Sequence, residues 1–315
     1  MRDHATSRRQ FLQGVGTAVA GASLVPAALA APADRPVRLG GPVFGNHPDP
    51  DDLARAHRAL GYRAAYCPGV GLNDTARIGD ITRAFAKHDV TIAEVGRWVN
   101  LLDADPVKRA ANVTTVTDGL ALAEAVGARC CVDIAGSFSR TSWFGPDPKN
   151  FTREFFDAAV ENARKIIDAV KPTRTKFTYE MMGWALPDGP DSYLEMIKAV
   201  DRPAFGVHLD PCNLVNSPAR FYNNTALLNE CFDKLGPWIV SCHAKDLTWD
   251  VEMNVHFREV TVGTGQLDWT TYLKRVAALP SDVTLMIEHM KDEADYTRCR
   301  RFLQAEGKRL GVRFE

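Results

Sequence analysis

The chain has 315 residues, of which 45% are hydrophobic and 24% are charged. This composition is typical of a globular protein with a sizeable core and excludes disordered and fibrous classes. The 38 Lys and Arg residues nearly balance the 39 Asp and Glu residues, and the formal net charge is -1. No global basic charge is available to neutralise a phosphate backbone, so the composition argues against a nucleic-acid partner.

The first 31 residues differ from the rest of the chain. Arg8 and Arg9 precede a run rich in Gly, Ala and Val, and the small residues 28–30 suit a cleavage site. This pattern resembles a twin-arginine export signal and implies the twin-arginine export machinery as a partner and a periplasmic or otherwise exported location. Glycines and a proline interrupt the run, which is too short for stable membrane insertion. We predict a signal peptide over residues 1–31 and a single domain over residues 32–315.

Apolar, β-rich segments alternate with helix-period segments from residue 37 onward. The predicted strands cover residues 37–44, 63–69, 90–97, 129–135, 175–182, 204–210, 239–245 and 284–290. Eight repeats of strand and helix predict a (β/α)8 TIM barrel in an α/β single domain, with an open doubly wound sheet as the competing architecture. The longest predicted loop, residues 137–150, follows the fourth strand and is expected on the C-terminal face of the barrel, where active sites form.

Four successive strands of this pattern end in a side chain that can bind a metal. Because strand side chains alternate between faces, Glu180, Asp210, His243 and Glu288 are predicted to face the barrel interior. Three buried carboxylates would repel one another and take up protons, and a divalent cation removes that conflict. Oxygen ligands with one imidazole favour Mn²⁺, Mg²⁺ or Fe²⁺, while Zn²⁺ stays open. The alternative is four ordinary strand-end residues that pair with lysines or cap helices.

These residues carry a resemblance to a known family. The barrel pattern, the order Glu180, Asp210, His243 and Glu288, the sequence HAKD at 243–246 and the sequence GTGQLDW at 263–269 resemble the sugar phosphate isomerase/epimerase family of xylose isomerase-like TIM barrels. The resemblance covers nearly the whole chain after residue 31. It implies one divalent metal ion, often manganese, held by those four side chains. The chain departs from the family at Asn213, where a histidine often follows the strand-six aspartate.

The predicted ligands suggest a reaction. A hydrogen on carbon beside a carbonyl becomes acidic enough for removal when a metal stabilises the developing enediolate. Glu180 and Glu288 approach from different sides, so we predict that one removes the proton and the other returns it, which gives epimerisation or ketose–aldose isomerisation. The export signal and the lack of a phosphate cradle favour a small non-phosphorylated keto-sugar or keto-glycoside as substrate.

Five further residues are predicted to bind substrate, each with a structural alternative. Lys245 holds substrate oxygens or forms an ion pair with a site carboxylate, and Arg258, predicted in a loop, holds substrate or is a solvated charge. Asn213 donates to substrate or shapes a turn. Trp184 covers a sugar face or packs at the rim. His208 orients the aspartate that ends its strand or is a core residue.

Three other polar residues are assigned structural roles. Glu94 and Asp133 face inward from the third and fourth strands, and each is expected to hydrogen-bond to a neighbouring strand. Asp268, within GTGQLDW, is placed to cap the helix that follows, and the glycines of this motif permit a tight turn.

Other functions remain open at the level of sequence. The same enediolate could expel a β-substituent, which would make the protein a lyase or dehydratase on a 3-keto-glycoside. A non-catalytic sugar-binding barrel is a further alternative. Phosphodiester cleavage of the endonuclease IV type fits less well, because the early strands lack extra inward histidines and the chain is not basic. A homo-oligomer is compatible with the sequence.

Overall fold

The computed structural model describes residues 36–314. Ten strands lie in this part of the chain: β1 (Arg38–Gly40), β2 (Ala64–Tyr66), β3 (Thr91–Gly96), β4 (Cys130–Asp133), β5 (Lys176–Glu180), β6 (Phe205–Leu209), β7 (Ile239–Ala244), β8 (Asp246–Asp250), β9 (His256–Val260) and β10 (Thr284–Ile287). The α-helices of the same residues are α1 (Pro50–Ala59), α2 (Thr75–Lys87), α3 (Pro106–Val126), α4 (Arg153–Val170), α5 (Pro190–Val200), α6 (Pro218–Tyr222), α7 (Asn224–Leu235), α8 (Trp269–Ala277) and α9 (Glu293–Leu310).

Eight parallel strands close into a barrel. They hydrogen-bond in the order β1, β10, β7, β6, β5, β4, β3, β2, and β2 pairs again with β1. Each barrel strand lies within one of the eight predicted segments and is shorter than predicted. The (β/α)8 barrel is therefore confirmed, and the open doubly wound sheet is wrong because its edges would not pair.

Local signals in the sequence fix where the helices begin. The N-cap side chains of Asp49, Asp105 and Asp292 accept hydrogen bonds from backbone N–H groups in the first turns of α1, α3 and α9. Pro50 and Pro106 occupy the first helical positions, where a missing N–H costs no hydrogen bond. These caps end the loops on the barrel's C-terminal face at defined residues.

The two sides of the barrel wall differ in composition. Between strands and helices lies a continuous apolar layer, to which β6 contributes Phe205, Val207 and Leu209. The interior holds a small apolar cluster of Ala64, Ala93 and Met286, next to buried polar side chains. The polar residues of the interior are Glu94, Thr178, His208, Ser241, His243 and Thr284.

An antiparallel hairpin interrupts the repeat after β7. Strands β8 and β9 pair with each other outside the barrel, with Thr248 opposite Arg258. The prediction that Arg258 lies in a loop is therefore wrong. Among the described strands, β8 and β9 pair only with each other, so neither short alternating run alone indicates a strand.

Asp246, at the start of β8, holds the GTGQLDW segment. Its buried carboxylate accepts hydrogen bonds from the backbone N–H groups of Gly263, Gly265 and Leu267 and from the indole of Trp269, at 2.9–3.1 Å. Gly263 has φ 88°, and a Cβ at Gly265 would collide with the Asp246 side chain, so both glycines are required. The predicted turn is confirmed, and its organising group is this carboxylate.

The cap predicted at Asp268 is also present. Its carboxylate accepts a hydrogen bond from the Thr271 backbone N–H at the start of α8. Residues 1–31, the predicted signal peptide, lie outside the described residues. Within residues 36–314, none of the helices combines the length and the apolar character that crossing a bilayer requires.

Candidate metal centre and active site

The four predicted ligands meet at the C-terminal end of the barrel. Glu180 is the last residue of β5, Asp210 follows β6, His243 lies near the end of β7, and Glu288 follows β10. One donor atom from each lies within 4.8 Å of all the others. The inward orientation that strand alternation predicts is what brings these side chains together.

His243 lies at the centre of this cluster, which we call the ligand cluster. Its Nδ1 is 2.9 Å from Glu288 Oε2, 3.4 Å from Asp210 Oδ2 and 3.6 Å from Glu180 Oε1. A divalent ion held about 2.0–2.2 Å from each donor separates neighbouring donor atoms by about 3–3.5 Å. The spacing of the cluster suits such an ion.

Three of the donor atoms lie close to other charged groups of the site but lack a well-formed hydrogen bond. In the described part of the chain, Asp210 Oδ2, His243 Nδ1 and Glu288 Oε2 are buried and have no hydrogen bond of ordinary geometry. Asp210 Oδ1, by contrast, accepts from the Cys212 backbone N–H at 3.0 Å, which turns Oδ2 toward the cluster. Since buried polar atoms nearly always have partners, the donor set fits a metal ion.

Charges within the cluster shift its titration. Burial raises the pKa of Asp210, but the charges of Lys245 and His243 outweigh burial and hold this pKa well below its ordinary value. Burial lowers the pKa of His243, and the carboxylates of Glu288 and Glu94 outweigh it and raise this pKa well above its ordinary value. The carboxylates of the cluster therefore surround two groups that carry positive charge, Lys245 and His243.

Beneath the ligand cluster, Glu94 joins two histidines across the barrel interior. Its Oε1 is 3.2 Å from His243 Nε2 and its Oε2 is 2.9 Å from His208 Nε2, while Ser241 donates to Oε2 at 3.2 Å. A carboxylate only accepts, so His243 donates through Nε2 and presents Nδ1 to the ligand cluster. Glu94 thereby fixes both the tautomer and the orientation of the imidazole.

Two expectations from the sequence are tested by this network. Glu94 bonds to β6 and β7 across the interior, so the expected bond to a neighbouring strand is wrong. His208 bonds to Glu94 and not to Asp210, so of its two predicted roles the structure shows that of a hydrogen-bonded core residue. The His208 ring is fully buried, which places it out of reach of a molecule at the barrel mouth. Asp133 is also buried, and its carboxylate accepts from the backbone N–H groups of Val99 and Ile134.

Lys245 and Asn213 connect the ligands to one another. Lys245 Nζ lies 2.7 Å from Asp210 Oδ2 and 3.5 Å from Glu288 Oε2, and donates to Asn213 Oδ1 at 3.1 Å. Asn213 Nδ2 donates to Glu180 Oε1 at 2.7 Å. Lys245 is thus in ion-pair contact with the site carboxylates, one of the two alternatives considered from sequence, and Asn213 holds the carboxylate of Glu180, a predicted ligand, in place.

A comparison with known protein families decides where the chain belongs. The model of the family described as Xylose isomerase-like TIM barrel matches residues 53–306. The chain belongs to this family. The family resemblance drawn from the order of the ligands is confirmed at this level.

Solved structures share the fold at low sequence identity. A Xylose isomerase-like TIM barrel protein from Mycobacterium smegmatis in complex with magnesium aligns with a TM-score of 0.60 and 18% identity over 87% of this chain and 97% of that one. The 3-keto-D-glucoside 4-epimerase of E. coli aligns with a TM-score of 0.62 and 13% identity over 85% of this chain and 99% of that one. The probable 3-DHS dehydratase of Bacillus anthracis aligns with a TM-score of 0.63 and 14% identity over 85% of this chain and 98% of that one. A search of curated proteins found no match.

Two cavities of this xylose isomerase-like barrel flank the ligand cluster. The smaller, of about 290 Å³, is lined by Tyr66, Glu94, Trp98 and Glu288 among others. The larger, of about 770 Å³, reaches the cluster at Asn213. Both lie where the loops that follow the strands meet, as in other barrels of this architecture.

The larger cavity gathers the remaining predicted substrate contacts. Trp184, from the loop after β5, and Arg258, from β9, line it together with Asn213. Phe144 lines it from the 137–150 segment, which therefore lies on the C-terminal face as predicted. Arg258 Nε is 2.6 Å from Asp250 Oδ1, so this guanidinium is already paired.

His289 is a further residue of the site that sequence reasoning did not identify. Its Nδ1 is 2.9 Å from Glu259 Oε2, and its Nε2 is 3.6 Å from Glu288 Oε1. The hydrogen bond to Glu259 raises the pKa of His289 above its ordinary value. The backbone of His289 is left-handed, with φ 57°, a conformation uncommon outside glycine. The sequence signal was its position directly after a predicted ligand.

Proposed function

We propose that this protein is a divalent-metal-dependent sugar isomerase or epimerase that acts on a non-phosphorylated keto-sugar or keto-glycoside. The observation that carries the proposal is the convergence, with Glu180 at the barrel mouth, of three buried donor atoms that lack a hydrogen bond of ordinary geometry. Three carboxylates with one imidazole suit Mn²⁺, which we favour, as well as Mg²⁺ and Fe²⁺, and Zn²⁺ is compatible. The fold shared with a 3-keto-D-glucoside 4-epimerase and a D-psicose 3-epimerase supports a sugar substrate.

The chemistry divides between the ion and two carboxylates. A bound divalent ion supplies Lewis acidity that lowers the energy of the enediolate formed when a hydrogen beside a carbonyl is removed. Glu180 and Glu288 come from β5 and from the end of β10, which are separated in the sheet by β6 and β7. Carboxylates on opposite sides of a carbon can remove a proton from one face and return it to the other.

The protein holds these two carboxylates differently. Glu180 is fixed by the amide of Asn213, and only 5% of its surface is exposed. The Glu288 side chain is 16% exposed and lines the smaller cavity, so it is the more accessible of the two to substrate. Lys245 supplies a fixed ammonium group next to both and limits their mutual repulsion.

Hydrogen exchange in D₂O tests this function. We expect the manganese-loaded protein to exchange one carbon-bound hydrogen of a keto-sugar for deuterium, visible by NMR, while the carbon skeleton and substituents stay intact. Glu288→Gln should lower the exchange rate by about 10²–10⁴-fold, the usual contribution of a general acid or base, and should still bind the sugar.

The matched control is Glu293→Gln, which changes an exposed carboxylate on the same face in the first turn of α9. Its exchange rate should equal that of the wild type. A purified protein that neither contains nor takes up a divalent ion, or equal rates for Glu288→Gln and wild type, would contradict the proposed function.

A lyase is the second candidate, favoured by the space beside the ligand cluster. A cavity of about 770 Å³ can accommodate a leaving group attached to the reacting sugar. In this reaction the same enediolate would expel a β-substituent from a 3-keto-glycoside. The NMR experiment separates the two candidates, because elimination releases a free aglycone and epimerisation does not.

The proposal also includes a location. The twin-arginine pattern in residues 1–31 supports export of the folded protein. Cell fractionation should find the wild type outside the cytoplasm and the Arg8→Lys, Arg9→Lys double variant inside it. Equal distribution of the two proteins would refute export by this route.

A further inference from the structure

The larger of the two cavities differs from the smaller in its lining. Its wall is mainly aromatic and aliphatic, from four separate loops and strands: Phe144, Met182, Trp184, Val215, Leu247, Val255 and Phe257. The smaller cavity contains two carboxylates, Glu94 and Glu288. A polar sugar ring and an apolar group would therefore be directed to different sides of the ligand cluster.

Contacts within the protein hold the Phe257 ring and the loops that carry Trp184 and Phe144. Phe257 stacks on Phe221, with ring centroids 5.2 Å apart and an angle of 23° between the rings. The buried amide of Asn150 donates to the Trp184 carbonyl at 3.0 Å and to the Gly145 carbonyl at 3.1 Å. One side chain thus joins the loops that carry Trp184 and Phe144.

The charged residues that line this cavity are already paired. Arg258 lies 2.6 Å from Asp250, and His256 Nδ1 lies 3.3 Å from Glu252 Oε2. Glu259 contacts an imidazole and an ammonium group of the site. Arg258 is thus already paired and Glu259 adds a carboxylate to the wall, so the lining disfavours a phosphate or a carboxylate as the bound group.

The cavity adjoins the reacting centre at Asn213. Asn213 lines it and donates to Glu180 Oε1 at 2.7 Å. A group that fills the cavity is therefore adjacent to a carboxylate proposed to move the proton. Flat apolar faces at the wall suit an aromatic ring, which buries a large apolar area and stacks on or meets other rings edge-to-face.

We propose that this cavity binds an aromatic aglycone, so that the substrate class is an aryl glycoside in its keto form with the sugar at the ligand cluster. This inference rests on the proposed function and narrows its substrate. The sugar reacts at the cluster, while the aglycone packs against Trp184 and Phe257 and sets affinity.

Binding of unreactive glycosides tests the inference. The metal-loaded protein is titrated by calorimetry with 4-nitrophenyl glucoside and with methyl glucoside, each as both anomers. We expect one aryl anomer to bind about tenfold more tightly than its methyl counterpart, from burial of the ring. Trp184→Ala should reduce this ratio to near one, and Phe257→Leu should reduce it in part.

The control is Trp238→Ala. Trp238 is 37% exposed and directly precedes β7, at the opposite end of the barrel. This variant should keep the wild-type ratio. Equal binding of aryl and methyl glucosides to the wild type, or an unchanged ratio in Trp184→Ala, would overturn the inference. Tighter binding of glucose 6-phosphate than of the aryl glucoside would overturn it as well.

Failure of the inference is distinguishable from failure of the proposed function. If keto-sugar hydrogens exchange but aryl and methyl glucosides bind equally, the isomerase or epimerase function is supported and the aglycone site is refuted. An aryl preference that depends on Trp184, without exchange of any keto-sugar, supports the aglycone site and removes the proposed reaction.

Discussion

The outer and inner sides of the barrel wall are built from opposite chemistries. Outside, the layer between strands and helices is apolar and continuous, and it includes buried aromatic residues such as Phe155, Phe177 and Tyr272. Inside, Glu94, His208 and His243 form a charged network with little apolar packing. The difference implies that the outer layer supplies stability, whereas the interior contains charged groups that lower stability.

The largest effect should come from the outer layer. Phe155→Ala removes a fully buried ring of α4 that packs edge-on against Phe138. We expect the free energy of unfolding to fall by about 3–5 kcal/mol, measured by urea denaturation, with unchanged metal affinity. Phe151→Ala, at a 49% exposed position, should change stability by no more than about 0.5 kcal/mol. Weaker metal binding by folded Phe155→Ala would break the comparison.

A titratable group in the outer layer should give a similar but pH-dependent effect. His57 is buried between Tyr62 and Phe85, and burial lowers its pKa from 6.5 to about 4. The unfolded chain therefore binds more protons between these values, and stability present above pH 6.5 is lost as the pH falls toward 4. A pKa difference of this size corresponds to roughly 3 kcal/mol.

Comparison of wild type with His57→Phe measures this loss. The difference between their free energies of unfolding should be constant above pH 7 and should change steadily below pH 6.5, in favour of the variant. Parallel stability profiles across this pH range would show that the imidazole is not buried as described.

A substitution in the barrel interior should lower the affinity for a metal ion. Glu94→Gln keeps the size of the side chain but removes the charge that both His208 and His243 contact. We expect metal affinity to fall by about 10–100-fold, measured by calorimetry and by the Mn²⁺ EPR spectrum. The control Glu124→Gln alters a carboxylate that accepts from Thr173 at the other end of the barrel, and should leave affinity unchanged. Equal affinities for both variants would contradict the role of Glu94.

The smallest effect concerns the hydroxyl beneath Glu94. Ser241→Ala removes a donor to Glu94 Oε2 and an acceptor for Thr284 Oγ1, at 3.2 and 2.8 Å. We expect stability to fall by about 1 kcal/mol and metal affinity to fall by less than in Glu94→Gln. A larger loss of affinity than in Glu94→Gln would show that the hydroxyl, rather than the carboxylate, orients His243.

The sequence predicts the fold and the ligand cluster because both depend on short-range periodicity. Strand alternation places Glu180, Asp210, His243 and Glu288 on the inner face, and closure of parallel strands brings their ends together. The contact of Glu94 with His208 depends instead on the stagger of strands on opposite sides of the barrel, which no local pattern encodes.

The sequence patterns do not predict the β8–β9 hairpin, because its pairing also depends on contacts that no local pattern encodes. Strands β8 and β9 are five residues each and hydrogen-bond only with each other among the described strands. Each run alone resembles a loop. A sequence signal for this region is Asp246, the acidic residue at the end of HAKD. The backbone N–H groups of Gly263 and Gly265 need a hydrogen-bond acceptor, and the Asp246 carboxylate provides it.

Lys245 has a consequence for how the protein matures. A permanent ammonium group 2.7 Å from Asp210 offsets carboxylate repulsion before any ion arrives. We therefore expect folding to be independent of ion uptake, unlike in small zinc domains, which are unstructured until they are loaded. We also expect that a chelator would leave the chain folded and that an ion bound by the proposed site would reflect the compartment that supplied it.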